Sequence, residues 1–304
     1  MAAARGSNLR PASRSRGISL RQNAGSAASF RGRCCWAAWL FVLLVLTGVG
    51  RAADVVVIRD AYGAVVRGDP AHPRLALVFT GDEFGESAGP ILDALDKRKI
   101  AGSFFLTGRF LRDPKFAPAV KRMAAGGHYV GPHSDGHLLY CDWDERERSL
   151  VTRDEFVADL QRNLAELRRA GACPPGRPVH FIPPFEWYNR EQVEWCRAGS
   201  VAGAWGEATP LVLANFTPGT GSQRDYARED DPRFVPARTI YDDILAYESR
   251  AQQGLNGHLL LLHLGSGRRD PFHPLAGRLC DELVNRGYEF ARIDVLLGDA
   301  SRGE

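Results

Sequence analysis

Among its six cysteines the 304-residue chain contains no Cys-x-x-Cys pair, so a cysteine-built zinc site has no ligands to start from. It also lacks an apolar run of full bilayer length. The uncharged apolar run at residues 34–50 reaches about 26 Å as a helix, against a hydrocarbon core of about 30 Å. There is no internal repeat and no low-complexity linker, so one domain is the economical organisation beyond the N-terminal segment. Basic charge is missing where nucleic-acid binding would need it. Of 39 Lys and Arg, eight lie in residues 1–53, which hold no acid, and the remaining 31 face 36 Asp and Glu. Residues 54–304 are therefore net acidic, which excludes a nucleic-acid electrostatic footprint. With 44% hydrophobic and 25% charged residues, the composition is that of a soluble globular protein.

The arginine-rich start reads as a targeting segment. Arg5, Arg10, Arg14, Arg16, Arg21, Arg31 and Arg33 precede the apolar run, and Gly50-Arg51-Ala52 offers small residues for cleavage. This is the pattern of a secretory signal with a long basic leader; the alternative is an N-terminal membrane anchor through residues 34–50 with its basic side in the cytoplasm. On either reading residues 1–53 are separate from a catalytic domain of residues 54–304, which is expected to be exported to the periplasm or the extracellular space. Four cysteines remain in that domain (Cys141, Cys173, Cys196 and Cys280), as disulfides of unassigned pairing or as isolated thiols.

From Asp54 onward, short apolar runs alternate with helical periodicity. Strands are expected at 55–58, 75–80, 103–106, 129–131, 179–182, 201–205, 259–262 and 290–293, several without polar alternation, as in a parallel sheet covered on both faces. Helices are expected at 90–99, 152–170, 189–197, 239–253 and 274–286. The second opens with Thr152-Arg-Asp-Glu155, the spacing of a capping box. This is an α/β alternation, and an α/β barrel carries its chemistry at the C-terminal ends of its strands. The Gly-, Pro- and polar-rich stretch 206–237 reads as a loop over that site.

Several predicted strand ends carry reactive groups. One ends in Thr80-Gly81-Asp82-Glu83, another in His133-Ser134-Asp135-Gly136-His137, a third in Pro183-Pro184-Phe185-Glu186-Trp187, and a fourth delivers His263 after four leucines. Each alone has an ordinary explanation: adjacent acids as a solvated loop or helix cap, an i, i+4 histidine pair as a shared helix face, a lone histidine as a rim residue. Their joint occurrence points to a metal hydrolase. Two imidazoles and one carboxylate leave zinc an open position; a carboxylate that is not a ligand can take a proton from water, and a histidine can protonate a leaving amine. Each such proton transfer contributes about 10²–10⁴-fold.

In this order the motifs resemble the polysaccharide deacetylases, the NodB-homology domains of carbohydrate esterase family 4, from about Leu75 to Leu297. The resemblance implies a distorted (β/α)7 barrel that removes N-acetyl, or sometimes O-acetyl, groups from an N-acetylated polysaccharide or oligosaccharide. It implies one divalent ion, zinc first, with cobalt, nickel or manganese as alternatives. Position by position, Asp82 takes the place of the catalytic base. Glu83, His133 and His137 take the metal-ligand places, and His263 that of the general acid. Pro184, Phe185, Glu186, Trp187 and Tyr188 form the substrate-binding segment; the Phe185 N–H is placed to hold an oxyanion, and Trp187 and Tyr188, ahead of Tyr140 and Trp143, to stack on sugar.

Three departures stand out. Glu83 replaces the family's Asp and reaches about 1 Å further, a displacement that can cost roughly 10²-fold unless compensated. Gly81 replaces a Phe, which frees the strand end to shift. Ile182 replaces an Arg that orients the base, so Asp82 needs another partner, with Glu186 the candidate polar substitute. The acid that supports the general-acid histidine is one of Asp225, Asp230, Asp231 and Asp270. His72, His128, His180, His258 and His273 are expected mostly at the surface or rim, and Asn215-Phe-Thr217 matches a glycosylation acceptor of little weight. The competing readings are a catalytically impaired glycan-binding protein on the same barrel, an O-deacetylase, and an amidohydrolase of a non-sugar amide.

Overall fold

A computed structural model describes residues 56–172, 178–198 and 211–298. The targeting segment 1–53, Cys173 and the strand expected at 201–205 lie outside the described residues. Among the described residues, no helix is long and apolar enough to cross a membrane. The chain begins with an antiparallel hairpin of β1 (Ile58–Arg59) and β2 (Val65–Arg67). It continues through β3 (Arg74–Gly81), α1 (Ala88–Arg98), β4 (Ser103–Leu106), α2 (Gly108–Arg112), α3 (Ala117–Ala125), β5 (Tyr129–Pro132) and α4 (Arg153–Arg169). Then follow β6 (Val179–Phe181), α5 (Arg190–Arg197), β7 (Leu211–Leu213), α6 (Ala237–Arg250), β8 (Leu259–His263), α7 (His273–Asn285), β9 (Glu289–Phe290) and α8 (Ile293–Leu297).

The centre is β3, parallel to β4 on one side and β8 on the other, with β5 beyond β4 and β9 paired to the start of β3. Successive side chains of a strand point to opposite faces. On β3, Leu75, Leu77 and Phe79 join the outer core under the helices, while Ala76 and Val78 join a smaller inner core. On β8, Leu260 and Leu262 go outward, and Leu259 and Leu261 inward. Both faces are covered, which is why these strands show no polar alternation. At the bottom, Ile293, Leu296 and Leu297 of α8 enter the inner core, and Ser103 Oγ accepts from Ile293 N at 2.9 Å. The run 290–293, expected as one strand, accordingly ends at Phe290 and turns into this plug.

The strands follow one another round a ring whose ladders are interrupted. Between β5 and β6 the connection is a side chain: the buried Tyr129 phenol accepts from His180 N at 2.8 Å and donates to His180 O at 3.2 Å. β6 pairs with β7 in parallel, a bridge of Val65 with Ala214 links β7 to β2, and one of Arg67 with His258 links β2 to β8. Thr217 stitches the last junction, its hydroxyl donating to Val66 O and accepting from Leu259 N. The fold is α/β with mostly parallel strands, as expected.

The expected cap of α4 forms, and α5 carries a second that the sequence reading did not single out. Thr152 and Glu155 make the reciprocal capping box of α4, and Asn189 and Gln192 make another on α5. One expectation is corrected, and one open alternative is decided. His128, His180 and His258 are buried rather than at the rim; His128, for example, accepts the Gly102 N–H. Cys141, Cys196 and Cys280 are buried free thiols, so no disulfide joins the described cysteines.

Gly81 does not loosen β3. The register runs unbroken through Thr80 opposite His263 and Gly81 opposite Leu106. A Cβ on Gly81 would stand 2.9 Å from Leu264 Cδ1 and 3.1 Å from both Leu106 Cδ2 and Phe110 Cδ2, so neighbouring side chains already occupy the space. Gly81→Phe is therefore expected to destabilise the protein by about 1–3 kcal/mol through overpacking. A denaturant midpoint equal to that of the wild type would show that the pocket can repack.

Candidate active site

The C-terminal ends of β3, β5, β6 and β8 meet at a cleft of about 990 Å³ whose lining includes Asp82, Glu83, His133, His137, Glu186 and His263. A recess of about 440 Å³ adjoins it beside Asp82, Glu83 and Arg109.

The histidine loop is held from behind by α4. Asn163 Oδ1 accepts from His133 N at 2.8 Å while its Nδ2 donates to Leu106 O at 3.0 Å. Asp159 accepts from the backbone N–H groups of Asp135 and Gly136, each at 2.9 Å. Asn163 and Asp159 are fully buried, and the loop they fix contains two non-glycine residues in the left-handed region, Ser134 and His137. Arg112 secures the loop from outside, its Nη1 2.5 Å from Asp135 Oδ1. Gly108 is required here: a Cβ would fall 1.7 Å from Asp135 Oδ1.

His133 Nδ1 lies 2.8 Å from Ile182 O. A carbonyl can only accept, so Nδ1 carries the ring proton and Nε2 keeps its lone pair. Burial, with His137 alongside, lowers the His133 imidazole to about 3; burial and the charge of Arg109 lower His137 to about 4. The two rings lie 5.2 Å apart. Paired neutral imidazoles are the form that ligates a cation, so these two fit a divalent ion. Glu83 does not gather with them. Its side chain is 64% exposed, its ion-pair partner is Arg109 at 3.8 Å, and among the described residues no three His, Cys, Asp or Glu side chains stand ready as a metal-binding group.

Asp82 acquires partners that the motifs did not reveal. The Thr107 hydroxyl donates to its Oδ1 at 2.9 Å, Arg109 Nε stands 3.3 Å from the same oxygen, and His137 Nδ1 is 3.8 Å from Oδ2. The cation beside Asp82 thus comes from α2, just after β4, and not from position 182. Nothing in the run Thr107-Gly-Arg marked it, because the contact exists only once β3 and β4 pair.

Of the four candidate acids, Asp225 is the one that supports His263. It accepts from His263 Nδ1 at 2.7 Å and from His263 N at 2.9 Å, which leaves Nε2 free. Burial alone would lower this imidazole, but the charge and hydrogen bond of Asp225, with Glu186 adding to them, raise it above its ordinary value. Asp230, Asp231 and Asp270 serve elsewhere, pairing with Arg228, Arg233 and Arg268. The expected loop 206–237 does line the cleft where it is described, but it also contains β7 and a 3₁₀ turn, Ser222–Tyr226, that carries Asp225.

The Pro-Pro segment forms a 3₁₀ turn, Pro184–Glu186, with Phe185 and Glu186 both left-handed at φ 59° and 52°. The Phe185 ring packs 4.4 Å from His137, Trp143 lies 5.7 Å from Phe185, and Trp187 stacks on Trp143 at 5.4 Å. Trp143 is 54% exposed, whereas Tyr188, expected to stack on sugar, is 1% exposed. Its hydroxyl is bonded to Asp60 and its ring belongs to the cleft wall. Asn215 is buried, donating to Glu186 O at 3.0 Å, which rules it out as a glycosylation acceptor in the folded state.

A family model for polysaccharide deacetylase matches residues 68–198. The chitooligosaccharide deacetylase of Rhizobium leguminosarum bv. trifolii is 32% identical over 147 residues, covering 42% of this chain and 67% of that protein. Among solved structures, Bacillus subtilis PdaA, a family 4 carbohydrate esterase, aligns at a TM-score of 0.60 over 79% of this chain and 86% of its own, with 19% identity. A pseudoenzyme of the same family from Bacillus anthracis aligns at 0.58 over 79% and 70%, with 18% identity. At these identities the structures speak for the fold. The chain spans between 29% and 67% of the length of the curated relatives it matches.

Burial pushes the Glu186 carboxyl up to about 7, against the pull of His263 and with Asp225 adding to the rise. An acid raised above its unfolded value of 4.5 contributes stability that is complete below that value and lost as pH climbs through about 7. Glu186→Gln is therefore expected to abolish about 1–3 kcal/mol of the stability loss between pH 5 and pH 8. Melting curves at both pH values that move in parallel for wild type and variant would contradict the assignment.

Proposed function

This chain belongs to the polysaccharide deacetylase family, and from that membership we propose that it hydrolyses the N-acetyl groups of an extracytoplasmic glycan, with Asp82 as base and His263 as acid. The observation that supports this most is the contrast between the imidazoles of one cleft: His133 and His137 are held neutral, while His263 is held ready to carry a proton. Environments that push titratable groups apart mark the division of acid–base labour.

His133 and His137 would hold a divalent ion, zinc by preference, with Glu83 completing the set once its side chain turns in from solvent; the ion would polarise the acetyl carbonyl and acidify water. Asp82, braced by Thr107 and Arg109, takes the proton of the attacking water. Negative charge gathers on the acetyl oxygen, and the Phe185 N–H lies at the turn suited to receive it. His263, with Nδ1 committed to Asp225, gives its proton through Nε2 to the amine nitrogen as the carbon–nitrogen bond breaks, releasing acetate and the free amine. Phe185 and Trp143 offer the sugar rings apolar surface, with Trp187 packed behind Trp143. Residues 1–53 are assigned to export, as a cleaved signal or as an anchor through 34–50.

The exposure of Glu83 favours one other reading, a glycan-binding protein that has lost turnover, as a pseudoenzyme has within this family. Acetate release from an N-acetylglucosamine oligomer, with and without chelator, separates the two; an inactive, metal-loaded protein that still binds the oligomer identifies the second. Under the deacetylase reading, His133→Ala loses the metal on desalting. Asp82→Asn retains it and loses about 10²–10⁴-fold in kcat. Full activity in Asp82→Asn would remove Asp82 from the role of base.

A further inference from the structure

Four arginines line the cleft: Arg146, Arg224, Arg228 and Arg233. Three are neutralised by carboxylates of the chain itself, Arg224 by Asp243, Arg228 by Asp230 and Arg233 by Asp231. Arg146 is different. Its guanidinium carbon stacks 3.9 Å from the centroids of both the Tyr62 and the Trp187 rings, and its Nε donates to Tyr188 O at 2.6 Å. Among the described residues neither Nη group has a hydrogen-bond or ion-pair partner. The nearby Asp60 is already committed, one oxygen to the N–H groups of Tyr62 and Ala64 and the other to the Tyr188 hydroxyl. The Arg146 backbone is tied down as well, its carbonyl accepting from Asn189 Nδ2 at 3.1 Å.

A guanidinium with Nε spent and both Nη groups free presents an edge of parallel N–H donors that matches the two oxygens of a carboxylate. Its rotamer is fixed by the aromatic rings and the Tyr188 carbonyl before any ligand arrives, so little entropy remains to be lost on binding. We propose that Arg146 is an anion subsite that recognises a carboxylate on the glycan, so that the preferred substrate is an acidic polysaccharide or oligosaccharide. The position of the acidic group follows from the aromatic side chains. Trp187, Trp143 and Phe185 lie in sequence between the guanidinium and His137. The carboxylate therefore belongs to a sugar neighbouring the one that loses its acetyl group. This inference rests on the deacetylase reading for its substrate, although the subsite itself is a matter of binding.

The test compares three oligosaccharides of equal length: neutral N-acetylglucosamine, N-acetylglucosamine alternating with glucuronate, and N-acetylglucosamine alternating with N-acetylmuramate. Binding is read by tryptophan fluorescence in the Asp82→Asn background, and kcat/KM by acetate release in the wild-type background. At least one acidic oligomer is expected to surpass the neutral one by about tenfold to a hundredfold, the range of charge-assisted hydrogen bonds. Which of the two does so tells whether the carboxylate is a uronate or a lactyl ether. Arg146→Met should bring the acidic-to-neutral ratio close to one, and Arg146→Lys, which keeps charge without the planar fork, should retain part of it. Added salt should weaken the acidic oligomer selectively in the unsubstituted protein, a check that needs no variant at Arg146. Equal affinities for all three, or a ratio unmoved in Arg146→Met, would overturn the subsite. Preferential binding of an acidic oligomer without acetate release would uphold the subsite and dismiss the deacetylase reading.

Discussion

Two buried side chains of α4, Asp159 and Asn163, receive the backbone N–H groups of the loop that carries His133 and His137, and the geometry of the cleft is anchored there. A loop that places Ser134 and His137 in the left-handed region stores strain, of order 1–3 kcal/mol per residue, and persists only when its surroundings over-determine it. Asp159 meets the N–H groups of Asp135 and Gly136, Asn163 meets that of His133, and Asn163 also reaches back to β4 through Leu106 O. Buried donors left without such partners would cost about 1–3 kcal/mol each. The capping box at Thr152 and Glu155 fixes where α4 begins, and so fixes the rotation of the helix that aims both side chains at the loop. A helix start legible in the sequence thereby reaches the reactive imidazoles through intervening hydrogen bonds.

The same division of labour governs the rest of the cleft. The wall holding His133 and His137 keeps them neutral by burial, and the facing wall gives His263 a buried carboxylate. Between them, Asp82 is held by a hydroxyl and a guanidinium that arrive from the end of β4 and the start of α2. Substituting the arginine of the family pattern by Ile182 is therefore not a simple loss. Position 182 belongs to the inner core, its carbonyl orienting His133, and the cation beside Asp82 comes from another element, as Arg109 of α2.

How much of this was legible in the sequence depends on distance along the chain. The long apolar strands, the capped helix α4 and the histidines at strand ends are local patterns, and the structure contains them. The short elements β2, β7, α2 and α8 carry too few residues for a period to emerge. Arg109 and Asp159 were invisible for a different reason: each works on a partner more than twenty residues away, and a lone Arg or Asp reads as solvated surface. Tyr188 misled in the opposite direction. Its place after the Pro-Pro turn suggested an exposed ring, but the phenol finds Asp60 from the opening hairpin and the ring follows it into the wall.

The Tyr129 phenol, which spans β5 and β6 in place of a peptide ladder, also sets a dimension. Where backbone pairs with backbone, neighbouring strands settle about 4.8 Å apart whatever their sequence. Here the spacing between the strand that delivers the histidines and the strand that delivers Phe185 is dictated by the reach of one aromatic ring. The width of the seat between imidazole and Phe185 is thus written into a residue at the far end of β5, as a spacer rather than as a contact.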